Sequence, residues 1–272
     1  MIHGASNSAQ ELVTKEVIDK EAVANAFCKA SHNYDNYAEF QRDVGQRLLD
    51  KLPIDLSGKV VLDLGCGTGF FTEKLLACGA RVICVDISAG MLAAAEKRCG
   101  NSRVTYLLAD AENLPMAANS VDYVYSSLAL QWCANLAIPL QEMKRVTREK
   151  GGIFFSTLLD GSLTELKQAW ASIDSYQHVN EFISNNQVKI ALAQARCPMH
   201  ELDCKTIMVW YQSAFDLMRD LKGIGANHVV GRSHGLTSRK TLMQVEQAYK
   251  VFENQLGLLP ASYQVCLGVI HL

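Results

Sequence analysis

Two kinds of hydrophobic pattern alternate through the central part of the chain. Short apolar runs at 59–65 and 80–88 have the length and β-branched content of buried parallel strands. Each is followed by a segment with helical spacing that stops at a glycine, at 70–79 and 90–100. Because parallel strands need crossover connections, this alternation predicts a doubly wound α/β sheet.

The alternation continues to about residue 158 and then changes. Further predicted strands lie at 103–110, 121–130 and 151–158, with a helix at 138–147. Beyond them the chain is helical and polar at 161–196, and two late strand-like runs lie at 204–211 and 263–272, separated by helical segments at 215–228 and 238–256.

These changes of pattern predict one domain, 21–272, after a loose leader at 1–20. The predicted parts of the domain are a helical cap at 21–52, a core at 53–160, a helical lid insertion at 161–203 and C-terminal strands and helix at 204–272.

Composition narrows the class of protein. The 272 residues are 49% hydrophobic and 20% charged, and the net charge is −2, which is typical of a globular enzyme and not of a nucleic-acid binder. None of the nine cysteines forms a CxxC pair, so we expect no metal site and a reducing compartment. Without a signal sequence or an apolar run of about 18 residues, we expect a cytoplasmic protein that does not bind membranes.

The turn after the first strand is the main candidate for a ligand site. It reads Asp63-Leu64-Gly65-Cys66-Gly67-Thr68-Gly69, and its glycines let backbone amides approach a ligand. A dinucleotide would place a pyrophosphate here, which Asp63 would repel. S-adenosylmethionine has no phosphate and carries an ammonium and a sulfonium. We therefore expect Asp63, Gly65, Cys66 and Gly67 to bind that cofactor; the alternative is a capping aspartate.

Two further acids follow the next two strands. Asp86 suits the two ribose hydroxyls, and Asp110 suits the adenine amino group, although each is also a possible helix cap. Ligands of open α/β sheets bind at the carboxyl ends of strands, where all three acids lie. Neighbouring residues complete the expected cofactor site: Ile87, Met91, Ala111 and Ser127.

Residues 59–158 resemble the class I S-adenosylmethionine methyltransferases. The matching segments are VLDLGCGTG, VICVDIS, ADAENLP and EMKRVTREKGG. The resemblance implies a seven-stranded, mostly parallel Rossmann-like sheet, with the runs at 204–211 and 263–272 as the sixth strand and the antiparallel seventh.

The flanks are similar to one subfamily, the malonyl-[acyl-carrier protein] O-methyltransferases of biotin synthesis. LALQWC (128–133) and LKGIGA (221–226) are the most specific segments, and Cys28, Glu149 and Asn227 depart from the usual pattern. The resemblance implies methylation of the free carboxyl of a malonyl thioester carried by acyl carrier protein or by coenzyme A. The oligomeric state stays open, with a monomer as the expectation.

Candidate catalytic residues follow from that reaction. A carboxyl group with a pKa near about 4 is already ionised, so the enzyme must mainly orient it and exclude water. We expect Tyr34 to donate a hydrogen bond and Lys222 to pair with the carboxylate, with Tyr37 at the cofactor. For Tyr37 a structural role is as good an interpretation, and Lys222 also suits a helix C-terminus.

Other residues have two interpretations. Arg42 and His228 are further cations beside the expected site, although a solvated helix surface is the favoured interpretation for Arg42. Trp132, next to Gln131, either forms a wall of the pocket or packs in the core. Arg232, Arg239 and Lys240 are the predicted docking patch for an acidic carrier protein, whereas the cluster Lys144, Arg145, Arg148 and Lys150 suits a solvated surface.

Three other functions remain open from the sequence. The first is methylation of carbon or nitrogen on a small metabolite, which would need a general base near Trp132. The second is a nicotinamide-dependent oxidoreductase, which Asp63 and the glycine spacing oppose. The third is a silent module that binds S-adenosylmethionine, which the retention of Asp63, Asp86 and Asp110 opposes.

Overall fold

A computed structural model describes residues 19–226 and 238–272 of the chain. Its centre is a seven-stranded sheet of order β3-β2-β1-β4-β5-β7-β6. Strand β7 runs antiparallel to both of its neighbours, and the pairs from β3 to β5 are parallel. The strands are β1 (Val60–Leu64), β2 (Arg81–Asp86), β3 (Val104–Leu108), β4 (Val121–Ser127), β5 (Thr147–Leu158), β6 (His200–Tyr211) and β7 (Leu259–His271). This topology confirms the predicted doubly wound fold with an antiparallel seventh strand.

Helices pack on both faces of the sheet. The helices of the described residues are α1 (Lys20–Ala30), α2 (Glu39–Leu49), α3 (Phe70–Ala77), α4 (Ala89–Cys99), α5 (Ala137–Val146), α6 (Thr164–Ala171), α7 (Asn185–Gln194), α8 (Ala214–Gly223) and α9 (Arg239–Tyr249). None of them has the length and apolar character that a membrane-spanning helix needs.

The two faces of the sheet bury separate hydrophobic cores. Val61 belongs to one core, which includes side chains of α2, α3, α6, α8 and α9. Its neighbours Leu62 and Leu64 belong to the other core, which includes side chains of α5 and α7. Successive side chains of a strand point to opposite faces, which explains this division.

The segment 161–203, predicted as a helical lid insertion, contains the two helices α6 and α7. Leu166 and Trp170 of α6 pack in the first core, beside α9. Val188 and Leu192 of α7 pack in the second core, beside α5. The helices therefore belong to opposite faces of the sheet, and the connection between them, residues 172–184, passes from one face to the other.

Hydrogen bonds tie the N-terminal segment to the turn after β1. Tyr34–Asn36 forms a single 3₁₀ turn between α1 and α2. In that turn the Asp35 carboxylate accepts a hydrogen bond of 2.7 Å from the Thr68 hydroxyl and pairs with Arg98 of α4. The Arg42 guanidinium donates to the Asp35 carbonyl at 2.6 Å. These contacts fix the turn at 34–36 beside the glycine turn.

Asp63 is a charged group that the fold buries. Only 2% of the residue is exposed. One of its carboxylate oxygens accepts a hydrogen bond of 2.6 Å from the Thr72 hydroxyl of α3. Burial raises the pKa of the Asp63 carboxyl to about 7, although this hydrogen bond opposes the change.

We expect this burial to appear in the pH dependence of stability. Between the ordinary pKa of 3.8 and the raised pKa near 7, the folded state binds a proton that the unfolded state has lost. Stability therefore falls as the pH rises through this window and levels off above it. Relative to Asp63→Asn, the free energy of unfolding of the wild type should fall by about 2 kcal/mol from pH 5 to pH 7, since one pKa unit is about 1.4 kcal/mol.

Urea unfolding at several pH values measures this difference. The control is Asp43→Asn, which removes an exposed carboxylate on α2 that pairs with Arg47 and should leave the pH dependence unchanged. Parallel stability curves for wild type and Asp63→Asn would contradict the prediction.

Candidate active site

A cleft of about 750 Å³ opens where β1, β2 and β4 end. We call it the strand-end cleft. Its lining comes from the glycine turn, the ends of β1, β2 and β4, the residues that follow β2 and β3, helices α1 and α4, the 3₁₀ turn after α1 and the turn after β4. The lining residues are Lys20, Val23, Phe27, Tyr34, Leu64, Gly65, Gly67, Val85, Asp86, Ile87, Met91, Asp110, Ala111, Ser127, Leu128, Ala129, Trp132 and Cys133.

The glycine turn is held against the end of β2. The Gly65 N–H donates to the Val85 carbonyl at 2.7 Å, and the Gly67 N–H donates to the Asp86 carboxylate at 2.9 Å. Gly65 has φ +73°, and a Cβ on it would lie 2.3 Å from the Cβ of Ala129. Position 65 thus excludes any side chain, because both the backbone conformation and the neighbouring turn oppose one.

Asp86 combines burial with several backbone donors. Its second carboxylate oxygen accepts from the Ser88 N–H at 2.9 Å. Burial raises the pKa of Asp86, and the N–H groups of Ser88, Gly67 and Ile87 oppose this rise. The carboxylate is fixed in position by the backbone while it still lines the cleft. It can therefore accept hydrogen bonds from a ligand with adjacent hydroxyls.

Asp110 lies at the far side of the cleft and is paired. One of its oxygens accepts from the Glu112 N–H at 3.0 Å, and the other pairs with Lys20. Lys20 also pairs with Glu112. These contacts join the start of α1 to the end of β3. Asp86, in contrast, has no basic partner among the described residues. An unpaired carboxylate in the cleft favours a cationic ligand and opposes a phosphate.

A second cavity, of about 760 Å³, adjoins the strand-end cleft. We call it the acceptor cavity. It is lined by residues of the N-terminal segment, the turn after β4, the 172–184 connection and the end of α8. They are Phe27, Tyr34, Phe40, Gln41, Leu128, Gln131, Trp132, Leu158, Leu163, His178, Val179, Asn180, Phe182, Leu221, Ile224, Ala226 and Tyr263.

Four residues line both spaces: Phe27, Tyr34, Leu128 and Trp132. Phe27 and Trp132 meet edge to face, with ring centroids 5.4 Å apart. Leu128 has the unusual φ of +49°, and its N–H donates to the Ser156 hydroxyl at 2.9 Å. These residues form the boundary between the two spaces.

Tyr34 carries the polar group best placed at this boundary. Its hydroxyl makes no hydrogen bond to any residue in 19–226 or 238–272. Burial and the nearby carboxylates of Asp86 and Asp35 raise its pKa. The phenol therefore keeps its proton at neutral pH and is available as a hydrogen-bond donor.

The structure brings most of the predicted site residues together, but not all of them. Eight of the predicted cofactor residues line the strand-end cleft: Gly65, Gly67, Asp86, Ile87, Met91, Asp110, Ala111 and Ser127. Asp63, Cys66 and Tyr37 line neither space. Asp63 lies on the same face of β1 as Val61, and helix α3 packs on that face. The Asp63 side chain therefore points to α3. Cys66 is buried beneath the turn.

Tyr37 and Lys222 are placed by helix α8. The Tyr37 ring lies against Gly223, where a Cβ would approach the ring to 2.2 Å, so this tyrosine packs between the cap and α8. Lys222 is exposed and lines neither space, whereas its neighbours Leu221 and Ile224 line the acceptor cavity. The position of Lys222 therefore does not support pairing with a substrate carboxylate.

The other predicted cations lie away from the acceptor cavity or outside the described residues. Arg42 lies over the Phe70 ring, Arg145 pairs with Glu142 and Arg148 pairs with Asp122. Lys144 donates to a backbone carbonyl, and Lys150 is exposed. Arg239 and Lys240 are exposed at the start of α9. His228 and Arg232 belong to 227–237, outside the described residues.

Several lining residues were not predicted from the sequence. Val23 and Phe27 lie in the predicted helical segment 21–52 without having been assigned a site role, and Lys20 was assigned to the leader. His178 lines the acceptor cavity, with Nε2 2.8 Å from the Asp174 carboxylate and its ring stacked on Trp170. Gln41 was not singled out, because a glutamine on an amphipathic helix gives no sequence signal of a site.

Comparisons with known proteins agree with this geometry. A family model described as a methyltransferase domain matches residues 62–155, which hold most of the strand-end cleft. The YcgJ protein from Bacillus subtilis has the same fold, with a TM-score of 0.58 at 16% identity over 85% of this chain and 98% of that one.

Two curated relatives are much more similar in sequence. The malonyl-[acyl-carrier protein] O-methyltransferase of Yersinia pestis is 42% identical over 93% of this chain and 92% of its own length. The biotin biosynthesis bifunctional protein BioHC of Cellvibrio japonicus is 41% identical over 91% of this chain, which spans 49% of that longer protein. With this identity over nearly its whole length, the chain belongs to the malonyl-[acyl-carrier protein] O-methyltransferase family.

Proposed function

We propose that this chain transfers a methyl group from S-adenosylmethionine to the free carboxyl of malonyl-[acyl-carrier protein], forming the methyl ester that starts the pimeloyl part of biotin synthesis. The observation that carries the proposal is the boundary between the strand-end cleft and the acceptor cavity, which Tyr34 and Trp132 share. The similarity to relatives with this name supports the same reaction.

The strand-end cleft fits S-adenosylmethionine. Asp86 can accept the two ribose hydroxyls, and Asp110 can accept the adenine amino group. Ile87 and Met91 provide apolar contacts beside them. Asp63 does not line the cleft; it is buried at the end of β1, where it accepts the hydrogen bond from Thr72 of α3. When bound, S-adenosylmethionine supplies a methyl group on a positively charged sulfur.

The residues at the boundary have to orient the acceptor and keep water away. A carboxylate oxygen forms the new bond to the methyl carbon while the carbon–sulfur bond breaks, and no proton has to move. Tyr34 donates a hydrogen bond that holds the carboxylate in line with the methyl group. Phe27, Leu128 and Trp132 exclude water, which favours a reaction in which opposite charges disappear.

A carbon or nitrogen acceptor on a small metabolite is the second candidate. Such an acceptor needs a general base, and His178 is the imidazole that lines the acceptor cavity among the described residues. Its Nε2 is engaged with Asp174, and an ionised carboxyl acceptor has no need of it. The position of His178 keeps this candidate open to test, although the family relationship favours the carboxyl.

The carrier protein would supply the malonyl group on a flexible arm. Arg239 and Lys240 are exposed at the start of α9 and can attract an acidic carrier. Arg232, the third member of the predicted docking patch, lies outside the described residues. We keep this patch as the proposed docking surface, with malonyl-coenzyme A as the alternative source of the thioester.

The reaction can be tested with methyl-labelled S-adenosylmethionine. We expect label to enter malonyl-[acyl-carrier protein] and to be released by mild base as methanol, as from a methyl ester. Acetyl-[acyl-carrier protein], which has no free carboxyl, is the control and should stay unlabelled. Equal labelling of both carriers, or labelling of an amine or carbon acceptor alone, would reject the proposal.

Loss of the Tyr34 hydroxyl should slow the reaction without unfolding the protein. A hydrogen bond to a charged group contributes about 1.5–3 kcal/mol, so Tyr34→Phe should lower kcat about 10- to 100-fold. The thermal midpoint should stay unchanged, because this hydroxyl has no partner among the described residues. Tyr37→Phe is the matched control and should keep near wild-type kcat; equal losses in the two variants would show that Tyr34 has no special role.

Removal of the charge of Asp86 should weaken cofactor binding. We expect the dissociation constant of S-adenosylmethionine, measured by calorimetry, to rise tenfold or more in Asp86→Asn, which is about 1.4 kcal/mol for a charge-assisted contact. The control Asp122→Asn changes an acid of β4 that pairs with Arg148 and Lys59 and should bind normally. An affinity within twofold of wild type in Asp86→Asn would contradict the assigned site.

A further inference from the structure

Two glutamines of the acceptor cavity carry oxygen atoms that have no hydrogen-bond partner among the described residues. In the described part of the chain, three buried side-chain polar atoms lack a hydrogen-bond partner, and two of them are Oε1 of Gln41 and Oε1 of Gln131. Both glutamines line the acceptor cavity. An unpaired polar atom in a protein interior costs stability, so its retention at a cavity calls for an explanation.

The orientation of the Gln131 amide follows from its one contact. Its Nε2 donates to the Leu128 carbonyl at 2.7 Å. The opposite orientation would set two carbonyl oxygens against each other, so the oxygen is the unpaired end. Gln41 makes no hydrogen bond to described residues through either end of its amide. The terminal torsion of glutamine is soft, so each oxygen can turn towards a ligand.

A carbonyl oxygen can be satisfied only by a donor. The proposed malonyl thioester has none near its reacting end, because its ionised carboxylate and its thioester carbonyl are acceptors only. Donors do occur further along the substrate. The pantetheine arm that carries the thioester contains two secondary amides, each with one N–H group.

We propose that Gln41 and Gln131 recognise the thiol arm of the substrate by accepting hydrogen bonds from its amide N–H groups. The inference rests on the proposed function and adds the chemical feature by which a substrate thioester is selected. Apolar neighbours such as Leu158, Leu221 and Ile224 line the same cavity. In such surroundings, a hydrogen bond is strengthened and an unpaired group is penalised.

This arrangement discriminates against arms without N–H groups. A site that contains polar groups for a substrate donor rejects an analogue that lacks the donor, because its own groups then stay unpaired. The carboxylate would still reach Tyr34 in such an analogue. The loss should therefore appear mainly in kcat/KM through weaker binding of the arm.

The test compares two small malonyl thioesters that differ only in having an amide N–H or an ester oxygen at one position. One is the thioester of N-acetylcysteamine, which has an amide N–H, and the other is the thioester of 2-acetoxyethanethiol, which has an ester oxygen in its place. We expect wild-type kcat/KM to be at least tenfold higher for the amide. In the double variant Gln41→Met/Gln131→Met, the two thioesters should differ by less than threefold.

Matched measurements separate recognition from folding. Gln141→Met changes an exposed glutamine of α5 and should keep the wild-type preference. Methionine has the length of glutamine, so the thermal midpoint and the affinity for S-adenosylmethionine should stay close to wild type in all variants.

The possible failures are distinguishable. If the wild type methylates malonyl-[acyl-carrier protein] but prefers neither small thioester, the recognition by glutamine is wrong and the proposed function stands. If the double variant keeps the wild-type preference for the amide thioester, the proposed recognition by Gln41 and Gln131 is also wrong. If the wild type does not methylate malonyl-[acyl-carrier protein], both proposals fail.

Discussion

The hydrogen bond from the Gly67 N–H to the Asp86 carboxylate is the interaction on which the site depends. It joins the turn after β1 to the end of β2, and the Gly65 N–H reinforces the junction through the Val85 carbonyl. The floor of the strand-end cleft is therefore set by backbone contacts between two neighbouring parallel strands. A carboxylate held in this way is oriented before a ligand arrives, so little ordering remains to be done on binding.

Charged contacts then place the N-terminal segment over that floor. Asp35 binds Thr68 of the glycine turn and Arg98 of α4, and Lys20 binds Asp110 and Glu112 beyond β3. These pairs fix both ends of a segment that has few neighbours in the two cores of the sheet. The same segment brings Tyr34 to the boundary between the two spaces, so the strand-end cleft and the acceptor cavity share one covering element.

The acceptor cavity is lined by several kinds of polar side chain. Among the described residues that line it, the polar side chains include Tyr34, Gln41, Gln131 and His178, and neither lysine nor arginine is present. A fixed cation would hold a carboxylate firmly in the ground state as well as in the transition state, which does not raise turnover. In the proposed reaction, an uncharged donor such as Tyr34 orients the carboxylate and leaves its charge available for the reaction with the sulfonium.

Local pattern was sufficient to predict the strands of the parallel core. The period of apolar residues and the glycine stops indicated the parallel core, and Asp86 and Asp110 marked the ends of two strands that reach the cleft. The family resemblance added the antiparallel seventh strand. These features depend on short stretches of chain, which is why the sequence reveals them.

Tertiary structure decided which side chains face the cleft. Asp63 points to Thr72 because alternate residues of β1 serve opposite faces, and the sequence does not say which face carries α3. Lys222 lies off the stripe formed by Leu221 and Ile224, so the packing of α8 leaves it in solvent. The acceptor cavity is formed by segments that are far apart in sequence. Only the packing of these segments against one another places Gln41 in the cavity wall.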